Sequence, residues 1–247
     1  MFPQNHPPPT FLTAAWRWLA VLNFDIDPGV LQPYVPRGTE LDLWQGRALV
    51  SLVGFRFLET RLRGWPVPLH QQFSEVNLRF YVRRPVGGGW RRGVVFLREV
   101  VARPIVACVA NWVYRENYVC RPLRHDIRIP DSPDSVGCLR YAWRDHGQWM
   151  SLQVELRGSP GPLIPGSEAE FVLEHYWGYS RWSDNSTLEY QVEHPSWRTW
   201  PATAAEFVGD GSRLYGDQIA AALRRPPCSA FVAEGSAVTV REGRLLE

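Results

Sequence analysis

The chain has 247 residues, 45% hydrophobic and 21% charged, with a formal net charge of +2. That is enough chain to bury a core without disulfide or metal staples. The near-balance of charge excludes the strong positive field by which proteins attract nucleic acid or an anionic membrane surface. All 27 basic residues in the Lys+Arg count are arginine, and there is no lysine. Without a side-chain amine, chemistry that runs through a lysine Schiff base is excluded.

Residues 1–12 read as a proline-rich segment and residues 13–247 as a single domain, since no repeat, low-complexity stretch or long linker divides them. The N-terminus has no basic region ahead of an apolar run, so no signal peptide is expected. The apolar runs, such as Val94 to Leu97, are too short to cross a bilayer. Cys108, Cys120, Cys138 and Cys228 are widely spaced and form no C-x-x-C pair, which suits reduced thiols. A cytoplasmic protein is the expectation.

In chain order, alternating apolar stretches predict strands over 14–26, 47–58, 73–84, 91–102, 135–144, 148–157, 187–194 and 228–241, the last as a hairpin around Gly235-Ser236. Asp27-Pro28 predicts a short helix to Tyr34, with Asp27 as N-cap. Pro104 opens a second helix to about Tyr118. Ser167 and Glu170 form a capping box for a third over 167–176. A fourth runs from Arg213 to Arg225, stopped by Pro226-Pro227. The fold class is α+β, predominantly antiparallel β.

Candidate chemistry concentrates on the strand from Phe73 to Arg83. Period two places Val76, Leu78, Phe80 and Val82 on one face and Glu75, Asn77, Arg79 and Tyr81 on the other. The second face is either a solvated surface carrying weak ladder ion pairs or, if the sheet curves closed, the lining of a ligand cavity. Arg98 and Glu99 interrupt the next strand, which is otherwise apolar on both faces, so they must be neutralised locally or lie at a rim. On the following helix, Ile105, Cys108, Val109 and Trp112 form a stripe that continues to Arg115 and Tyr118. His175 sits among Phe171, Tyr176, Trp177 and Tyr179; the cluster either packs a core or stacks a ligand, with His175 as acid or base. His70 and His194 lack metal-ligand spacing, and no P-loop, G-x-G-x-x-G or G-x-S-x-G is present. No cofactor and no metal are expected.

Several of these segments resemble one family. Asn23-Phe24, Leu31 to Pro36, Glu40-Leu-Asp42, Val50 to Phe55, Glu75-Val-Asn-Leu-Arg-Phe-Tyr-Val82, Gly93 to Phe96 and Glu174-His-Tyr-Trp-Gly-Tyr179 are similar to the YqjF-like bacterial proteins. These form a domain-of-unknown-function family within the acetoacetate-decarboxylase-like superfamily. The resemblance runs from about residue 13 to 241. It implies a curved antiparallel sheet closing towards a cone or barrel, with a few peripheral helices and a buried cavity. The superfamily's decarboxylases carry a Gly-Arg-Glu, gap, Pro-Lys-Lys pattern. Leu97-Arg98-Glu99 and Pro104-Ile105-Val106 echo it loosely, with aliphatic residues at both lysine positions. Arg103 cannot substitute, because guanidinium stays protonated.

The expectation is a cavity-bearing protein that binds a small organic carboxylate or carbonyl compound without Schiff-base decarboxylation. If it is an enzyme, it is a lysine-independent lyase or isomerase. Glu75 and His175 are the candidate catalytic groups, and Asn77, Arg79, Tyr81, Arg98 and Arg115 the candidate ligand-binding groups. A small-molecule ligand is the expected partner, not nucleic acid or membrane, and self-association is left open. The alternative is a non-catalytic structural or ligand-sensing module.

Overall fold

The computed structural model describes residues 7–183 and 185–246. The long strand β1 (Thr10–Ile26) is followed by a helical turn, α1 (Pro28–Leu31), whose first turn is capped by the Asp27 carboxylate accepting from the Gly29 amide. Then come β2 (Glu40–Leu41), β3 (Ala48–Leu62), β4 (Trp65–Pro66), β5 (Phe73–Val86) and β6 (Gly89–Val101). Helix α2 (Pro104–Tyr114) precedes β7 (Tyr118–Cys120), β8 (Leu123–Arg128), β9 (Val136–Asp145) and β10 (Gln148–Arg157). Helix α3 (Glu168–Leu173) leads into β11 (Trp177–Ser183), β12 (Ser186–Glu193) and β13 (Thr199–Val208). The chain finishes with α4 (Ser212–Tyr215), α5 (Asp217–Leu223), β14 (Ser229–Arg241) and β15 (Arg244–Leu246). Strand dominates and most pairings are antiparallel, as the alternation predicts.

The pairings β1–β3–β5–β6–β11–β12–β14 return to β1 and so run in a ring. All its joints are antiparallel except the short parallel one between β11 and β6, at Gly178 and Val94. A second group, β13–β10–β9–β8, continues from β14. Against it and helix α5 the ring packs one face of its strands: Leu22, Leu52, Leu78 and Phe80 meet Tyr141, Trp143 and Leu152, all essentially fully buried. Each such aliphatic side chain contributes about 1.5–3 kcal/mol by leaving water. The opposite face, with Val21, Val53, Phe55, Phe73 and Tyr81, looks into the ring, where α3 adds Phe171 and Val172.

Three local expectations are corrected. Residues 228–241 form one continuous strand along β1, not a hairpin. Gly235 has φ 77°, a left-handed backbone that glycine adopts freely, and a Cβ there would lie 2.0 Å from the Trp16 carbonyl oxygen. This glycine sits opposite the irregularity where β1 shifts register against β3, so it accommodates a kink between paired strands instead of a turn. The helix from Pro104 stops at Tyr114 because Arg115 turns left-handed at φ 52°, which sends Tyr118 into β7. The segment 213–225 is broken at Gly216 (φ 85°) into α4 and α5. Strands β8 and β13 were not foreseen, and β11 lies within the aromatic segment that was read only for its side chains. The four cysteines are unpaired, and no helix among the described residues is long and apolar enough to cross a membrane.

Candidate functional site

Strand β5 is paired along both edges, with β3 and β6, and its two faces are covered by the outer layer and by the interior of the ring. Glu75, Asn77 and Arg79 therefore point into the ring at 2%, 2% and 9% exposure. They line a cavity of about 170 Å³. Most of its wall is apolar, with Trp16, Phe55, Phe57, Phe73 and Val94 prominent. Further polar groups on it include Glu99 on β6, Glu116 and Tyr118 around the turn after α2, His175 after α3, and Tyr190 on β12.

Three of these groups are buried carboxyls. Glu75 accepts from the Asn77 amide (Nδ2 to Oε1, 3.1 Å) and from the Tyr118 hydroxyl (Oη to Oε2, 2.9 Å). Glu116 accepts from the Tyr190 hydroxyl at 2.7 Å. Glu99 Oε2 is buried with no partner, as is Asn77 Oδ1. Burial disfavours the ionised form of each. It pushes Glu75 up to about 7 against the opposing influence of Asn77, Tyr118 and Arg79. It pushes Glu116 up to about 8, helped by the charge of Glu75 and opposed by Tyr190. Glu99 is raised well above the usual carboxylate range, by burial and then by repulsion from Glu116 and Glu75. At neutral pH the cluster holds protons.

Arg79 is the cation of this wall. Its Nη2 donates to the Val172 carbonyl at 3.4 Å, its Nε is buried without a partner, and it takes part in no ion pair among the described residues. Tyr81 sits one step further along β5, off the cavity wall, and hydrogen-bonds Ser51, which donates to Asn23. Its ring lies 4.7 Å from that of His175. His175 is enclosed by Tyr81 and Phe171, and its Nε2 is 3.7 Å from Asp42 Oδ2. The pairing of β2 with β5 positions Asp42, and Arg92 holds its carboxylate at 2.6 Å. Burial lowers His175 to about 4, outweighing the attraction of Asp42. The imidazole is thus neutral near pH 7, a hydrogen-bonding group and not the neutral-pH acid expected from its ordinary titration range.

Glu75, Asn77, Arg79 and His175 are brought together on the cavity wall, with Tyr81 packed behind His175. Arg98 and Arg115 are not part of it. Period two puts Arg98 on the face opposite Glu99, where its Nε donates to the Leu214 carbonyl at 3.3 Å in the outer layer. The left-handed turn leaves Arg115 exposed, with its guanidinium 5.0 Å over the Trp182 ring. Glu99, Glu116, Tyr118 and Tyr190 were missed as site residues. Only Glu99 carried a signal, as a charge in a strand apolar on both faces. His70 and His194 also line the cavity, yet among the described residues no group of three or more His, Cys, Asp or Glu is arranged to hold a metal ion.

Among solved structures, the enduracididine biosynthesis enzyme MppR in complex with pyruvate superposes with a TM-score of 0.67 at 14% identity, over 99% of this chain and 93% of that one. An acetoacetate decarboxylase from Legionella pneumophila subsp. pneumophila str. Philadelphia 1 gives 0.66 at 13% identity, over 100% and 92%. An acetoacetate-decarboxylase-like enzyme from Sphingomonas wittichii RW1 gives 0.63 at 12%, over 96% and 92%. At such identities the likeness is one of fold. The family model DUF2071, "Uncharacterized conserved protein", matches residues 13–237, and the chain belongs to this family. The uncharacterized protein YqjF of Bacillus subtilis (strain 168) is 35% identical over 68 residues, which spans 27% of this chain and 28% of that protein.

Proposed function

We propose that the protein binds a small organic carboxylate inside the strand ring, with Arg79 as the anion receptor. In this reading the ring of pairings closes as the cone that the family resemblance implies, and its interior is the ligand site. The observation that carries it is Arg79 itself: a buried guanidinium on a cavity wall, with an unpartnered Nε and no ion pair among the described residues. A buried, uncompensated charge is costly, and a carboxylate supplies the charge-assisted hydrogen bonds it lacks. The cavity's size favours a metabolite of a few heavy atoms, since about 150 Å³ holds a molecule the size of benzene. Pyruvate in the complex of the structural neighbour MppR is a ligand of that class.

Glu75, held near neutrality, is the group that would exchange a proton with a ligand lying between it and Arg79. Such chemistry is of the proton-transfer type, lyase or isomerase, because the chain has no lysine for a Schiff base. Calorimetric titration with butyrate tests the binding step. Arg79→Met should weaken it by about 1.5–3 kcal/mol, roughly 10- to 100-fold, while Arg79→Lys keeps part of it. Equal butyrate affinity in the wild type and Arg79→Met would overturn the assignment.

A further inference from the structure

The carboxyl end of the cavity asks for something that an anionic ligand alone does not provide. Glu99 Oε2 and Asn77 Oδ1 belong to side chains about 98% buried, and neither atom has a hydrogen-bond partner. Glu75, Glu99 and Glu116 form no ion pair among the described residues, and the donors that reach Glu75 and Glu116 are two phenols and one amide. Asn77 Oδ1 can only accept, and the three carboxyls become pure acceptors once ionised, a form that a ligand carbonyl or carboxylate does nothing to favour. An N–H-rich group supplies what is missing. The rings of Tyr114, Tyr118 and Tyr190 stand around the same end of the cavity, and aromatic faces attract organic cations. The described carboxyls are not arranged to enclose a metal ion.

We infer that the ligand carries an ammonium or amidinium group, held by Glu75, Glu99 and Glu116, so that the molecule lying between these carboxyls and Arg79 is a small zwitterion of the amino-acid class. The inference rests on the reading of the cavity as a ligand site and adds a second recognition element to it. Glu75 and Arg79 lie four residues apart on one strand face, roughly 13 Å of backbone. Their long side chains shorten the span, and a few bonds between cation and carboxylate bridge it.

Binding of the cation should expel protons. The empty cluster is protonated near pH 7, and a cationic guest favours its ionised form. Other titratable groups facing it are Tyr114, Tyr118 and Tyr190, all raised by burial and so uncharged below pH 10, together with Arg79 on β5. His70 and His194 line the same cavity, and burial lowers His194 further from the carboxyl range of interest. Release from the carboxyls is distinguished from release by His70 through its loss in Glu99→Gln and Glu116→Gln.

The test is calorimetric titration of the full chain at pH 6 and pH 8 with butyrate, butylamine, 2-aminobutyrate and 4-aminobutyrate. One aminobutyrate should bind at least about tenfold tighter than butyrate, gain affinity from pH 6 to pH 8, and show an observed enthalpy that varies with buffer ionisation enthalpy, the slope reporting the protons released. Glu99→Gln and Glu116→Gln should remove that advantage. If a Gln variant does not fold, proton release by the wild type decides the matter. Equal affinity for butyrate and both aminobutyrates, an advantage that survives both Gln variants, or binding without proton release overturns the inference. Butyrate binding that depends on Arg79 with no gain from an amine would sink the cation half and spare the carboxylate reading. Butylamine binding without any butyrate binding would do the reverse, and silence from all four probes would overturn both.

Discussion

The two faces of β5 are hidden to nearly the same degree and contain opposite chemistry. Val76, Leu78, Phe80 and Val82 are completely buried against the outer layer. Glu75, Asn77, Arg79 and Tyr81 are at most 9% exposed on the inner one. The outer layer's unpartnered side-chain atoms include the indole nitrogen of Trp143, the hydroxyl of Tyr215 and, beside His125, Arg56 Nε, whose guanidinium bonds that imidazole through Nη1. Around the inner void the unpartnered atoms include Arg79 Nε, Glu99 Oε2, Asn77 Oδ1 and both nitrogens of His175. A native fold retains such costly groups where something other than packing uses them. The outer face is thus packed into a core, and the inner face holds unpartnered polar groups around a void.

Substitutions can break that division. Leu78→Ala on the outer face should have the largest effect, a loss of about 2–5 kcal/mol from lost burial and the cavity left behind, read by urea unfolding. Ligand affinity measured well below the transition should stay the same; a parallel loss of affinity would show that the two faces are not separable. Gly178→Ala tests the joint between them. A Cβ at Gly178 would lie 2.1 Å from Cζ of the Tyr190 ring, at the point where β11 meets β6 in parallel. Overpacking of this kind costs about 1–3 kcal/mol. Because the Tyr190 hydroxyl holds Glu116, this variant should lose ligand affinity along with stability, unlike Leu78→Ala.

The inner face should also reveal itself through pH. Glu75 and Glu116 have folded values of about 7 and about 8, above the ordinary 4.5. The folded state thus holds protons that the unfolded chain has released, and their contribution is lost as pH rises towards 8. His175 acts in the opposite sense: lowered from 6.5 to about 4, it removes stability only as pH falls below 6.5. Between pH 6.5 and 8 the carboxyls act without that opposition. Stability should fall there by at most about 1.4 kcal/mol per pH unit for each proton involved, and Glu116→Gln should flatten the slope. A melting temperature that is constant across this window in the wild type would contradict the buried-acid description.

Much of this arrangement was legible in the sequence because period two is a strong constraint. Once Val76, Leu78, Phe80 and Val82 are assigned to a core, Glu75, Asn77, Arg79 and Tyr81 must share the other face. Whether that face is wet or enclosed depends on the strand pairings returning in a ring with α3 packed inside, which is a property of topology and not of the strand. Glu99 was visible as a charge in an apolar strand, but its partners in the cluster are set by long-range pairing. Glu116 was hidden for a local reason. A helix continued through Tyr118 keeps Arg115 on the inward stripe with Tyr118, whereas the left-handed Arg115 turns its own side chain out and brings Glu116 in beside Tyr118. No glycine or asparagine marks the position, so its backbone conformation had no residue signal.

Arg115 therefore supplies the smallest and most discriminating prediction. A helical stripe would make it a ligand-binding cation, and Arg115→Ala would then weaken carboxylate binding as strongly as Arg79→Met. With its guanidinium exposed over Trp182, the same change should remove only a solvent-screened cation–π contact, about 0.5–1 kcal/mol. Butyrate affinity should be unaltered. Arg115→Gly sharpens the point, because glycine takes the left-handed turn without steric cost and should recover part of the lost stability while still lacking the guanidinium. If Arg115→Gly is less stable than Arg115→Ala, the turn that delivers Glu116 to the cavity is not the conformation the chain adopts, and the three-carboxyl cluster would lose its third member.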